Sequence, residues 1–297
     1  MPDEGLEWLP RSEILSFAEI SRLAGVMASH LGLRSVRLTG GEPTLRAKLP
    51  RLVAMLAELG VDISMTTNGA TLPQLAQPLK DAGLSRINIS LDTLRAERFF
   101  ELTRRNQLDE VVAGIKEAVA VGFEPVKLNV VLMNGINDDE VVDFLRFGRS
   151  TGVTVRFIEF MPLDAQGEWS ADRVVPAADI LAAASKEFDF ERVDQGSSPA
   201  APFCYSDDIG GEFGIIASVS EPFCGSCDRV RLTAEGQLRN CLFALEHLDV
   251  RALLRDGSSD EQIVKAIRGE VDRKWAGHAI GEVHFVRPSK SMSQVGG

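Results

Sequence analysis

The chain has 297 residues, of which 44% are hydrophobic and 25% charged, and a formal net charge of −11. That length buries a sizeable core as one large domain or two smaller ones, and the acidic balance excludes a general nucleic-acid surface, so any phosphate-bearing substrate has to meet a local basic pocket. No apolar run approaches the roughly 18 residues of a membrane span, and the opening MPDEGLEWLPRSE carries no apolar signal segment, which predicts a cytoplasmic protein.

Along the first part of the chain, helix and strand patterns alternate. Residues 15–30 read as an amphipathic helix, followed by a short strand over Val36–Thr39 that runs into Gly40-Gly41-Glu42-Pro43. Helices over 49–59, 73–82, 108–121 and 138–150 then alternate with strands over Val61–Thr67, Arg86–Leu91, Val126–Leu132 and Val153–Phe160. Repeated β-then-α units with short connections predict a parallel sheet with helices outside, curling into a full or partial barrel. Polar residues gather where strands end, at Thr66-Thr67-Asn68-Gly69, Ser90-Leu91-Asp92-Thr93, Lys127-Leu128-Asn129 and Glu159-Phe160-Met161-Pro162. Barrel active sites lie at those ends. Beyond residue 163 the alternation stops. Short antiparallel strands are expected over 212–240, and the capping-box pair Ser259 and Gln262 opens a helix over 260–273.

The densest chemical signal is C-x2-C-x13-C at Cys224, Cys227 and Cys241, within EPFCGSCDRVRLTAEGQLRNCLF. Two cysteines three positions apart can share one metal centre, and a third thiolate can return from a hairpin. Three thiolates are one short of a closed zinc site and suit a 4Fe–4S cluster with one iron left open. Structural zinc remains an alternative, with His247 or Cys204 as the fourth ligand. Arg229 and Arg231 alternate after the pair, so on a strand both face one way and can meet one anion. Arg37, Lys127 and Arg156 sit inside the apolar strand patterns VRLTGG, VKLNVVL and VRFIEF. A charge buried there needs a partner, and an anionic ligand in the barrel mouth would satisfy all three. In Gly40-Gly41-Glu42-Pro43 the functional reading is a backbone edge plus a carboxylate that receives the amino group of a small ligand; a plain strand-to-helix turn is the alternative.

The stretches LEWLPRSEILSFAEI, VRLTGGEPTLR, MTTNG, INISLDTL, VKLNVVLMNGINDDE, VRFIEFMP, the cysteine segment and the terminal SMSQVGG together resemble the GTP 3′,8-cyclases of molybdenum cofactor biosynthesis, a radical S-adenosylmethionine family, from Met1 to Gly297. The resemblance implies an α/β fold. A partial TIM-type (β/α) barrel over residues 1–163 would be closed by a C-terminal iron–sulfur domain over 164–297. It implies that Cys224, Cys227 and Cys241 ligate a 4Fe–4S cluster whose open iron meets the guanine of GTP. Arg229, Arg231 and Lys127 would hold the nucleotide as catalytic residues, with Arg37 and Thr67 completing the pocket. Gly41, Ser90 and Met161 would line the S-adenosylmethionine site, and Gly296-Gly297 would reach into the active site. GTP and S-adenosylmethionine are the implied partners, without nucleic acid or membrane and with room for a homodimer.

One departure stands out. The family pattern implies a first strand, an early GTP-binding arginine and a C-x3-C-x2-C loop for a second 4Fe–4S cluster, the one that cleaves S-adenosylmethionine, just ahead of Met-Pro; here Met1-Pro2 opens the chain. A late start site, a fragment and a degenerate relative are the three readings, and the undecayed match elsewhere favours a truncated frame. A catalytically silent nucleotide-binding iron–sulfur protein is therefore the alternative function, and a zinc-stabilised barrel lyase unrelated to radicals a third.

Overall fold

A computed structural model describes residues 9–163, 167, 169–196, 198–275, 277, 278, 280, 285–288 and 290–295. The expected Gly296-Gly297 tail lies outside the described residues.

The elements run α1 (Phe17–Leu31), β1 (Ser35–Leu38), α2 (Leu49–Ala57), β2 (Asp62–Thr67), α3 (Leu72–Asp81), β3 (Arg86–Ser90), α4 (Ala96–Thr103), α5 (Leu108–Ala120), β4 (Val126–Leu132), α6 (Val141–Thr151) and β5 (Thr154–Glu159). They continue through α7 (Ala177–Ala184), β6 (Phe190–Arg192), β7 (Ala201–Tyr205), β8 (Glu212–Ile216), β9 (Arg231–Leu232), β10 (Gln237–Arg239), β11 (Leu248–Asp249), α8 (Val250–Arg255), α9 (Asp260–Asp272) and α10 (Met292–Val295). The main sheet has the order β1-β2-β3-β4-β5-β8-β7-β6. From β1 to β8 the neighbours are parallel, and β7 and β6 extend the sheet antiparallel. This is the partial TIM-type barrel expected from the β–α alternation.

The sheet does not stop at residue 163. Where short antiparallel strands were expected, β8 joins the barrel sheet parallel to β5, and only β9, β10 and β11 form a separate antiparallel sheet. Phe213 and Ile215 explain the difference: both are buried and continue the apolar, helix-facing row of β5. Between them Gly214 sits beside Arg156, where an added Cβ would lie 3.4 Å from Arg156 Cγ. The glycine leaves room for the arginine on the inner face.

Helix α1 joins the two layers. It starts at a capping box, Ser16 Oγ accepting from Glu19 N and Glu19 Oε2 accepting from Ser16 N, and stops at Gly32 with φ 70°. Ala24 packs into the barrel core, whereas Leu23 and Val26 pack with Leu238, Val250, Leu254, Ile263 and Ile267 of the C-terminal layer. Arg255 Nε donates to Glu19 Oε1 at 2.6 Å and, with its hydrogen bond to Ser16, holds that carboxyl down at about 2. The cysteine hairpin is thereby fixed beside β1.

Gly114 sits in the middle of α5, where glycine normally costs about 1 kcal/mol relative to alanine. Packing reverses the sign here. A Cβ at Gly114 would lie 2.1 Å from the carbonyl oxygen of Gly69, which ends the Thr66-Thr67-Asn68-Gly69 turn. Gly114→Ala is therefore expected to lower stability by about 1–3 kcal/mol through overpacking. Urea unfolding checks this, and a variant as stable as the parent would show that the turn yields freely.

Candidate functional site

Strand register places the polar residues on one face. In β1–β3, Arg37 sits beside Ser64, and Ser64 beside Arg86. The next row is Thr66, Asn88 and Lys127, and the row above is Ser90, Asn129, Arg156 and Gly214. Because side chains alternate along a strand, all of these share the inner face, while Val126, Leu128, Val130 and Leu132 turn outward into the helices. The inner face therefore carries Arg37, Arg86, Lys127 and Arg156.

These cations press on one another. Arg37 is shifted below its ordinary value by burial first, then by Arg229 and Arg86. Lys127 is lowered by burial and Arg156, with Glu212 pulling the other way. Arg156 is pushed down to about 10 by burial and then by Arg37. Its hydrogen bonds run to neutral amides: Nε donates to Asn129 Oδ1 at 3.0 Å, and Nη2 donates to Asn88 and Asn129 Oδ1 at 2.7 Å each. Two amide oxygens orient the guanidinium without neutralising it. For Arg37 and Lys127 the described residues supply no hydrogen bond or ion pair that offsets the charge, beyond the pull of Glu212 on Lys127.

Opposite β1 stands the cysteine hairpin. Cys227 N closes a turn on Cys224 O at 3.1 Å. Strands β9 and β10 pair Arg231 with Arg239, so Cys227, four residues before Arg231, and Cys241, two after Arg239, lie beyond the same open end. Arg239 Nη1 donates to Ala244 O at 2.7 Å and holds the turn that follows Cys241. All four cysteines are free and half-buried. Arg231 is lowered to about 10 by burial, then by Arg229 and Arg37, while Cys241 and Cys227 pull it up. Arg229 packs its guanidinium 5.1 Å from the Phe223 ring centre. The hairpin and the sheet thus bring Arg229, Arg231 and Arg37 together, although Arg229 lies ahead of β9 and not on the strand. A cleft of about 2460 Å³ between β1, α1 and the hairpin is lined by Arg37, Gly41, Arg229 and Arg231 among others, but not by Lys127, Ser90 or Met161.

Other expected site residues are placed as follows. Ser90 is exposed at the end of β3, on the inner face. Met161 is half-buried just past β5. Thr67 falls on the outward parity and is buried, its hydroxyl donating to Glu42 Oε1 at 2.7 Å; Thr66 is the threonine on the inner face. The Glu42 carboxylate also accepts from Thr44 N, Thr44 Oγ1 and Asn68 N. The group expected to meet a ligand amine is thus engaged in tying the Gly40–Pro43 loop to the end of β2. Among the described residues no three His, Cys, Asp or Glu side chains converge as a single metal ion requires, and Cys204 lies on β7, beside Glu212 of β8.

The sequence reading names Asn129 only among the polar strand ends and does not single out Asn88 or Arg86. Their signal was the period-two spacing with Ser90 and Lys127 in RINIS and VKLNVVL.

Residues 4–148 match the Radical SAM superfamily and residues 153–280 match Molybdenum Cofactor Synthesis C. Curated proteins named GTP 3′,8-cyclase align with the entire chain. One from Corynebacterium glutamicum is 44% identical over 309 residues, covering 100% of this chain and 82% of the relative. Others from Mycobacterium marinum and Streptomyces coelicolor are 44% identical over 304 residues, covering 100% of this chain and 84% and 88% of the relatives. The chain belongs to the GTP 3′,8-cyclase family. It is thereby a radical S-adenosylmethionine protein, a family that implies 4Fe–4S clusters and S-adenosylmethionine. None of the described helices is long and apolar enough to cross a membrane.

Proposed function

We propose that this chain binds GTP at the Arg37–Arg229–Arg231–Lys127 cluster, next to an iron–sulfur centre on Cys224, Cys227 and Cys241, for radical joining of C3′ of the ribose to C8 of guanine. The observation that carries this is the concentration of mutually repelling cations beside three free thiols in a chain of net charge −11. Such repulsion is relieved by a polyanion, and a triphosphate is the polyanion named in the relatives' substrate.

The donor set fits a 4Fe–4S cluster. Three thiols, none in a disulfide, share one hairpin end with cations around them, the number of ligands that leaves one iron of such a cluster open. A cluster held there would offer an open iron to the guanine base. Arg229 and Arg231 would fix the phosphates by charge-assisted hydrogen bonds, and Lys127 and Arg37 would meet them from the sheet. Gly41, Ser90 and Met161 would line the S-adenosylmethionine side. The cluster that cleaves S-adenosylmethionine is a different case. The four cysteines at 204, 224, 227 and 241 form no C-x3-C-x2-C, so their spacing does not fit that group.

The alternative is a nucleotide-binding iron–sulfur protein without turnover. Anaerobic incubation with S-adenosylmethionine, dithionite and GTP separates the two: 5′-deoxyadenosine and cyclised nucleotide support the first, and GTP binding without either supports the second. For the metal itself, anaerobic reconstitution should give about four irons per chain with matching sulfide, unchanged in Cys204→Ser. Stoichiometric zinc without sulfide would sink the cluster assignment.

A further inference from the structure

Lys274, Gly277 and His278, past the end of α9, lie close to the three cysteine turns. Lys274 Nζ donates to Cys227 Sγ at 3.4 Å and to the carbonyl of Arg229 at 2.8 Å. Gly277 backs onto Cys224, since a Cβ built on it would lie 3.9 Å from Cys224 Cβ. The His278 ring packs 5.2 Å from the ring centre of Phe243, whose backbone N–H donates to Cys241 Sγ at 3.4 Å. His278 is itself moored by Nε2, 2.7 Å from the Ser218 carbonyl. Neither Lys274 nor His278 belongs to the C-x2-C-x13-C pattern.

We propose that Lys274 is a positioning residue that sets the reduction potential of the centre held by Cys224, Cys227 and Cys241. The proposal rests on the cluster reading above. A donor and a positive charge at a ligating sulfur stabilise the state that carries one more electron, and so raise the potential. The bond to the Arg229 carbonyl fixes the ammonium, so its direction towards Cys227 does not depend on the sulfur alone. Arg229 supplies a second cation to Cys227, by side-chain hydrogen bond and by charge.

Redox titration of the reconstituted full chain, followed by electron paramagnetic resonance, tests this without relying on turnover. Lys274→Met should keep the parent iron and sulfide content while its midpoint moves to a more negative potential. Lys274→Arg, which restores charge and donors, should return most of the shift, and Lys274→Gln, a neutral donor, should fall between. A purely structural role would lower iron content or thermal stability and leave the midpoint in place. If Lys274→Met fails to hold iron, the Gln and Arg variants carry the same comparison. Midpoints of the Met or Gln variants equal to the parent's overturn the proposal while leaving the cluster reading intact. A parent chain that takes up zinc and no sulfide overturns both.

Discussion

Arg231→Ala is expected to weaken GTP binding by about 10- to 150-fold, or roughly 1.5–3 kcal/mol, the range for a hydrogen bond to a charged group. Arg231 is half-buried at the start of β9, and burial, then Arg229 and Arg37, hold it at about 10, still protonated at neutral pH. A half-buried guanidinium is partly shielded from solvent ions, so the interaction is less screened than at an open surface. Its lowered pKa carries a second consequence. A cation whose folded-state pKa lies below its unfolded value opposes folding while it stays charged, and that penalty lifts only as pH rises through about 10. Arg231→Ala should therefore lose GTP affinity without a matching loss of stability at neutral pH. Arg229→Ala should weaken GTP similarly, and the double variant should fall short of the sum because the two share one anion. Lys127→Ala tests the sheet side. Calorimetry on cluster-loaded protein decides, and dissociation constants equal to the parent's in all three single variants would mean the nucleotide sits elsewhere.

The barrel was legible because its strands announce themselves twice, by apolar residues and by polar ends. Val126–Leu132 is found as read, and Arg86–Ser90 and Asp62–Thr67 differ from the reading by one residue at an end. Helix α4 was not read: AERFFELT is short, ends at Arg104 in the left-handed region and buries little beyond Phe99. Strand β8 is antiparallel to β7, as expected over 212–240, but its parallel pairing with β5 carries no sequence mark, because EFGII looks the same either way. The choice is made by distant residues, the phenylalanines of β6 and β7 that surround Phe213: Phe203 stacks on it at 5.2 Å and Phe190 meets it edge-on at 5.0 Å.

The site divides in the same way. Arg229 and Arg231 stand out in the sequence by their alternation, but only Arg231 lies on β9; Arg229 precedes the strand by two residues, and both act on Arg37 or feel it. Thr67 was not legible, since a strand end reverses faces within one residue and the sequence carries no mark of where the parity is counted from; the register with Ile89 puts it outward. Lys274 had no local signal. It reaches Cys227 only because α1 and α9 pack on one another through Leu23, Val26, Ile263 and Ile267, a contact between segments more than 200 residues apart in sequence.

Glu159→Ala is expected to be the most damaging single change to stability outside the hydrophobic core. Glu159 ends β5 with no solvent exposure. Its Oε1 accepts from Ala177 N at 3.1 Å and from the Ser220 hydroxyl, and its Oε2 accepts from Val219 N and Ser220 N at 2.8 Å each. Ala177 is the first residue of α7, so the carboxylate also meets the positive end of that helix. Truncation leaves three backbone N–H groups without an acceptor. An orphaned buried donor costs about 1–3 kcal/mol, less at half-buried Val219 and exposed Ser220 and not fully additively, so a loss of about 2–4 kcal/mol is expected. Glu159→Gln should cost less but not nothing, because its amide nitrogen turns a donor toward N–H groups that need an acceptor. The same carboxylate anchors the turn at Val219-Ser220 that leads, within four residues, to Cys224. Iron content should therefore fall in Glu159→Ala together with the unfolding midpoint. Urea unfolding and iron analysis on parent, Gln and Ala chains check both halves; a loss below about 1 kcal/mol in the alanine variant would show that water replaces the carboxylate, and intact iron content would show that the turn to Cys224 is held by other contacts.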